Sequence, residues 1–286
     1  MFFSYPLSVR NDRELPADYS GPAFIWDIDK TYLETHFSSW RGLLRIPLEL
    51  AVDKRAIPGM PEVLRGLRRG PGPGVACAPL YFISASPAFL RPILEDKMLR
   101  DGVEFDGITL KDWVRTVLQL RPDRLFESVG FKMAALLQGR STRPHAREYL
   151  FGDDYEKDAE IFWLYSRWLE GRMDEAIFRR ALSDAGAPDS DLETILEFAR
   201  RAGKAGGWVE KIYIRLEKGT SPEAFKKYGP IVVPVKSAHQ LAEELFEAGM
   251  VDEATVEAAR HEEPLPVSVP HRTRSERKKK SIKRKK

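Results

Sequence analysis

Three apolar runs in this chain end abruptly on acids or a hydroxyl, and segments with helical spacing lie between them. Ala23, Phe24, Ile25 and Trp26 stop at Asp27, with Asp29 and Thr31 at alternate positions behind it. "PLYFIS" ends on Ser84, and "REYLFGDD" ends on Asp153 and Asp154, with Asp158 about one helical turn later. A short apolar run bounded by turn formers reads as a buried strand. Six such runs are present: Ala23 to about Ile28, "PLYFIS", "FDGITL", "REYLFGDD", "VEKIYIRLE" and "PIVVPV". Strands that alternate with helices imply an α/β fold, a mostly parallel sheet covered on both faces.

The helical segments follow the same order. Residues 36 to 54 carry Trp40, Leu43, Leu44, Leu48 and Leu50 at amphipathic spacing. "PGMPEVLRGLRRGPGPG" is a short helix opened by prolines and closed by a Gly/Pro cluster. Further helices are expected from Pro87 to about Arg100, from Lys132 to Gln138, over 157 to 203 with a break near "AGAPDSD", and over Leu241–Phe246 and Thr255–Arg260. Ser86, just before Pro87, is expected to be a helix N-cap. Residues 1 to 22 read as an irregular lead-in. The expected organisation is a lead-in over 1–22, one domain over 23–262 with helical insertions at about 36–70 and 159–205, and a basic tail over 263–286. The tail, "HRTRSERKKKSIKRKK" at its end, lacks apolar periodicity and is expected to be disordered.

Charge separates that tail from the rest. Residues 271 to 286 hold ten Lys or Arg and one acid, leaving 36 basic against 42 acidic residues upstream. The body is mildly acidic and the basic isoelectric point belongs to the tail. Such a segment suits an anionic membrane surface or nucleic acid, and otherwise serves as a solvated end. Cys77 is the only cysteine, which excludes an internal disulfide and fits a cytoplasmic setting, with peripheral membrane contact through the tail. No stretch approaches the roughly 18 apolar residues of a transmembrane segment, and the N-terminus lacks the pattern of a secretory leader.

In open parallel sheets, sites form at the carboxyl ends of the strands. If the first, second and fourth runs are neighbours, Asp27, Asp29, Ser84, Asp153, Asp154 and Asp158 converge there, with Lys132 opening the preceding helix. Clustered carboxylates resist joint ionisation unless a cation intervenes, and all-oxygen ligands favour Mg2+. A carboxylate so held can attack phosphorus to give an aspartyl-phosphate, while a second acid protonates the leaving oxygen and later activates water. Asp27 takes the first role and Asp29 the second.

The order of these residues resembles the haloacid dehalogenase (HAD) superfamily: "DIDKT" is similar to its DxDxT motif, Ser84 to the second motif, Lys132 to the third and "GDDYEKD" to the fourth. "DIDKTYLETHF", "FISASPAFLRPIL", "GITLKDW", "FKMAALL", "YLFGDDYEKDAEIF" and "KIYIR" together resemble the actin-patch-type phosphatidate phosphatase catalytic domain, with lipins as more distant relatives. The resemblance, over roughly residues 22 to 250, implies a HAD-like Rossmannoid sheet with helices on both faces and a Mg2+-dependent phosphomonoester hydrolase. It implies that Asp27 is nucleophile and metal ligand, and that Asp29 is acid/base with its backbone carbonyl on the metal. Asp153 then completes the metal site and Asp158 supports it, while Thr31, Ser84 and Lys132 hold phosphate or orient the nucleophile. Two departures stand out. Lys30 replaces the family's usual middle acid and is expected to point away from the site. Asp154 stands where serine is commoner, and either alters metal affinity or competes with Asp153.

The implied substrate is phosphatidate or another phospholipid. A phosphatase for a soluble nucleotide or sugar phosphate is the enzymatic alternative, and a non-catalytic nucleic-acid-binding protein of the same fold is the other. His36 lies close enough in sequence to Asp29 to touch substrate or to serve as a structural histidine.

Overall fold

A computed structural model describes residues 5–34, 55–74, 76–118, 127–203 and 208–262. The helix expected over 36–54, His36 and the tail of 263–286 lie outside these residues. Seven strands form one sheet: β1 (Leu7–Asn11), β2 (Pro22–Asp27), β3 (Leu80–Pro87), β4 (Gly107–Lys111), β5 (Arg147–Asp153), β6 (Val209–Arg215) and β7 (Val232–Val235). Their order is β1-β4-β3-β2-β5-β6-β7. Every pairing is parallel except that of β1 with β4.

The chain runs outward from β2 through β3 to β4, then returns to the other side of β2 with β5. That reversal makes β2 the switch point of the sheet, the place where a crevice opens at the strand ends. Parallel register sets Asp27 beside Ile83, one residue before Ser84, and Trp26 beside Phe151, two before Asp153.

The helices are α1 (Met60–Arg69), α2 (Arg91–Arg100), α3 (Trp113–Leu118), α4 (Val129–Arg140), α5 (Asp158–Leu169), α6 (Glu175–Ala185), α7 (Asp189–Ala202), α8 (Ala238–Glu247) and α9 (Glu253–Glu262). Strand side chains alternate between faces, so two cores form. On one face Ile25, Ile83, Leu150, Ile212 and Ile214 meet α4 to α7. On the other Phe24, Trp26, Phe82, Phe151 and Tyr213 meet α1, α2, α8 and α9. Trp26, Phe151 and Tyr213, in register across three strands, stack at 4.1 and 5.2 Å between ring centroids. This aromatic ladder lies directly beneath the ends of β2 and β5.

Three local expectations change. The irregular lead-in contains β1, because Leu7–Asn11 borrows its hydrogen bonds from β4, a hundred residues away in sequence. The helix expected from Pro87 starts at Arg91, since Pro87 itself is extended and ends β3. The helical stretch of 157–203 breaks twice, once around Glu170–Asp174 and once at Gly186–Pro188, where Gly186 adopts φ of 103°.

Candidate active site

Asp27 ends the central strand and is almost completely buried. The chain then turns at once: the amide of Lys30 donates to the carbonyl of Leu33, and those of Tyr32 and Leu33 both donate to Ile28. Lys30 holds a left-handed φ of 60°, which costs a lysine on the order of 1 kcal/mol and costs an aspartate less. The turn aims Asp29 at the end of β3, where Ser84 Oγ (2.7 Å) and Ser86 Oγ (2.9 Å) both donate to Asp29 Oδ2. The amide of Ser86 in turn donates to Ser84 Oγ at 2.9 Å. Ser86 is therefore a residue of β3 at the site and not the expected helix cap; the strand runs on past it to Pro87, with a register shift against β4 between Ser84 and Pro87.

Lys132 comes from the first turns of α4, a helix buried along almost its whole length. Its ammonium lies 2.9 Å from Asp27 Oδ1, 2.5 Å from Asp158 Oδ1 and 2.9 Å from Glu156 Oε2. Burial pulls its pKa down, but Asp158, Asp27 and Glu156 outweigh burial and hold it well above the usual lysine range. Burial also raises Asp27 well above the usual carboxylate range; Lys132 opposes this, and the charges of Asp158, Glu156 and Asp153 add to it. Thr31 Oγ1 makes only a long 3.4 Å bond to Asp27 Oδ2.

Side-chain oxygens of Asp27, Asp153 and Asp158 lie within 4.8 Å of one another, all three residues buried. Asp158 accepts the Asp153 amide at Oδ2 and Lys132 at Oδ1, so both its oxygens are engaged. Asp153 Oδ1 accepts the amides of Tyr155 and Glu156, while Oδ2 is buried with no hydrogen-bond partner. Burial and the charge of Asp158 push the Asp153 carboxyl up to about 7. Asp154 faces elsewhere. Its two oxygens accept the amides of Glu217, Lys218 and Thr220, nesting the loop after β6.

The expected residues Asp27, Asp29, Thr31, Ser84, Lys132, Asp153 and Asp158 thus gather at the carboxyl ends of β2, β3 and β5. Ser86, Glu156 and Gly152 join them unannounced. A Cβ on Gly152 would lie 2.4 Å from Asp158 Oδ2, so only glycine lets that carboxylate close on β5. The second hydroxyl in "FISASP", two residues past Ser84, is a signal for Ser86, whereas nothing in "GDDYEKD" distinguishes Glu156 from a solvated acid. The Lys30 side chain turns outward over the ring of Tyr155, as expected, beside Lys218.

A family model described as the phosphatidate phosphatase APP1 catalytic domain matches residues 23–180, more than half of the 286 residues. The chain belongs to this family. The phosphatidate phosphatase APP1 catalytic-domain match covers every acid, hydroxyl and lysine of the cluster, and it makes the chain a phosphatase. It ends within α6, before β6 and β7 complete the sheet. No curated protein and no solved structure matches the chain.

Proposed function

We propose that this phosphatase hydrolyses the phosphomonoester of phosphatidate with Mg2+ and an aspartyl-phosphate on Asp27. The observation that carries it is the buried oxygen of Asp153, without a partner, in a cluster with Asp27 and Asp158. A buried carboxylate oxygen left unpaired is costly, and a hard cation among oxygen donors removes the cost. Asp27 and Asp153 would hold the ion with the backbone carbonyl of Asp29. Asp158 supports them through Lys132 and the Asp153 amide. When bound, Mg2+ offsets the charge of the transferring phosphoryl group and the mutual repulsion of the carboxylates.

The chain's own groups supply the rest. Asp27, at the end of a rigid strand, attacks phosphorus; the bond to the leaving oxygen breaks and Asp29 gives that oxygen a proton. Asp29 then takes a proton from water, whose oxygen attacks phosphorus. Inorganic phosphate leaves and Asp27 is restored. Ser84 and Ser86, both donating to one oxygen of Asp29, fix the rotation of its carboxyl group between the two proton transfers. Lys132 neutralises Asp27 and lies ready for the phosphate oxygens.

The test is a phosphate-release screen over phosphatidate vesicles and soluble monoesters, with Mg2+ and with EDTA. Hydrolysis is expected to vanish with EDTA and return with Mg2+. Asp27→Asn is expected to abolish turnover, and Asp29→Asn to lower it about 10²- to 10⁴-fold. Near-normal activity of Asp27→Asn would refute the mechanism. A strong preference for a soluble monoester would keep the mechanism and replace the substrate.

A further inference from the structure

Arg215 ends β6, the last residue of "KIYIR", and lies beyond residues 23–180, which the family model matches. In register it stands beside Asp153, and its carbonyl accepts the amide of Asp154 at 3.0 Å. Its side chain does not stop at β5. Nη1 donates to the carbonyl of Lys30 at 2.8 Å, in the turn after β2. β6 is two strands from β2, about 10 Å at ordinary strand spacing, so the guanidinium spans the end of β5 to reach that turn. The same nitrogen pairs with Glu217 Oε2 at 2.6 Å, and Nε is buried with no hydrogen-bond partner.

Lys30 is the residue in this turn with a left-handed backbone. It separates Asp29 from Thr31, so its backbone angles set where both side chains point. A lysine has no intrinsic preference for that conformation. The carbonyl of Lys30 accepts from Arg215, so a side chain two strands away ties the backbone of this turn to the sheet. Asp154 nests the loop of residues 217–220, which carries the acid paired with Arg215. A guanidinium kept mostly buried with one donor unsatisfied adds little stability of its own. Its reach across β5 is what the position provides.

We infer that Arg215 is a positioning residue for the reaction: it clamps the Lys30 carbonyl and so holds Asp29 and Thr31 in register with Asp27. It acts through the backbone of the turn and does not touch substrate. The kinetic arm of its test rests on the phosphotransfer roles proposed above; the exchange arm does not.

Arg215→Met keeps the bulk of the side chain and removes its donors. Arg215→Gln stops short of the carbonyl, Arg215→Lys restores one donor, and Glu217→Gln leaves the clamp but removes its acid. Turnover of p-nitrophenyl phosphate with Mg2+ is measured beside amide hydrogen exchange and thermal midpoint. Arg215→Met and Arg215→Gln are expected to lower kcat about 10- to 100-fold with KM within about threefold, since a small misplacement of a reacting group suffices for that loss. Exchange should quicken at the amides of Lys30, Tyr32 and Leu33 and stay unchanged in β5 and β6. Arg215→Lys should recover kcat to within about fivefold of the original, and Glu217→Gln should stay within about twofold. Unchanged exchange at those three amides overturns the inference. A tenfold rise in KM with kcat intact also overturns it and makes Arg215 a phosphate ligand, and faster exchange throughout the sheet makes it a general structural residue. If the exchange response appears while p-nitrophenyl phosphate and phosphatidate are both untouched by the original protein, the clamp stands and the proposed function fails. If Asp27→Asn abolishes turnover while both Arg215 variants keep turnover and exchange, the function stands and the clamp fails.

Discussion

Asp153 leaves β5 with one oxygen capped by two backbone amides and the other buried without a partner, while its neighbour Asp154 spends both oxygens on the loop after β6. Asp153 is the last residue of β5 and Asp154 the first beyond it, and the two side chains go to different tasks. For the protein without metal, burial raises Asp153 to about 7, above the unfolded value near 4. The folded state then keeps a proton that the unfolded chain has released. This contribution to stability is present below pH ~4 and is lost as pH rises to about 7. Mg2+ competes with the same proton, so Mg2+ should raise the thermal midpoint more at pH 8 than at pH 6. Asp153→Asn should raise the Mg2+ needed for half-maximal turnover by at least about tenfold, whereas Asp154→Asn should leave it nearly unchanged. The reverse order in a Mg2+ titration would show that Asp154 is the ligand. "GDDYEKD" announced that an acid of this pair matters, but the choice between them depends on the loop of 217–220, more than sixty residues downstream.

The strands that carry the site were legible because each is a buried apolar run closed by a polar residue, a pattern that belongs to the strand alone. β1 was not, because "LSVRN" buries no residue fully, leaves its last three exposed, and gains its identity from β4. The segment after Asp158 was legible as helix but not as to purpose. α7 packs against α4 and α5 joins the same core, with Trp168 Nε1 donating to the Ala199 carbonyl at 3.2 Å and its ring stacked on Phe178. These helices pack against α4, the element that carries Lys132. At the opposite end of β5, Glu148 ties the same elements together. It accepts Arg143 Nε at 2.7 Å and Tyr165 OH at 2.6 Å, with Arg140 Nη1 3.6 Å away, all of them buried. Glu148→Ala would leave two buried guanidinium groups without their carboxylate, and urea unfolding should show a loss of about 3–5 kcal/mol. A loss under about 1 kcal/mol would mean that water or backbone carbonyls satisfy these arginines unaided.

Across the whole molecule, charge is divided between an acidic body and a basic end. Residues 271 to 286 carry ten Lys or Arg against one acid, and the residues before them carry 36 against 42. No described helix is long and apolar enough to cross a membrane. A phosphatase whose proposed substrate is a lipid must still meet that substrate at a surface, and we propose that the basic tail, outside the described residues, contributes to that contact. Each basic residue near an anionic surface contributes about 1 kcal/mol, and the attraction fades beyond a screening length of about 10 Å at 0.1 M salt. With no apolar residue except Ile282 among these sixteen, binding should be electrostatic, weak and reversible. Deleting 271–286 should therefore reduce co-sedimentation with phosphatidylserine vesicles at low salt, and 1 M salt should abolish the difference, since screening there acts within about 3 Å. Turnover of p-nitrophenyl phosphate should not change, because every residue of the site lies upstream of Pro264. Equal vesicle binding by the full and shortened chains would remove the membrane role. Tighter binding of the full chain to RNA or DNA than to anionic vesicles at matched salt would assign the tail to nucleic acid, where counterion release drives the same charges.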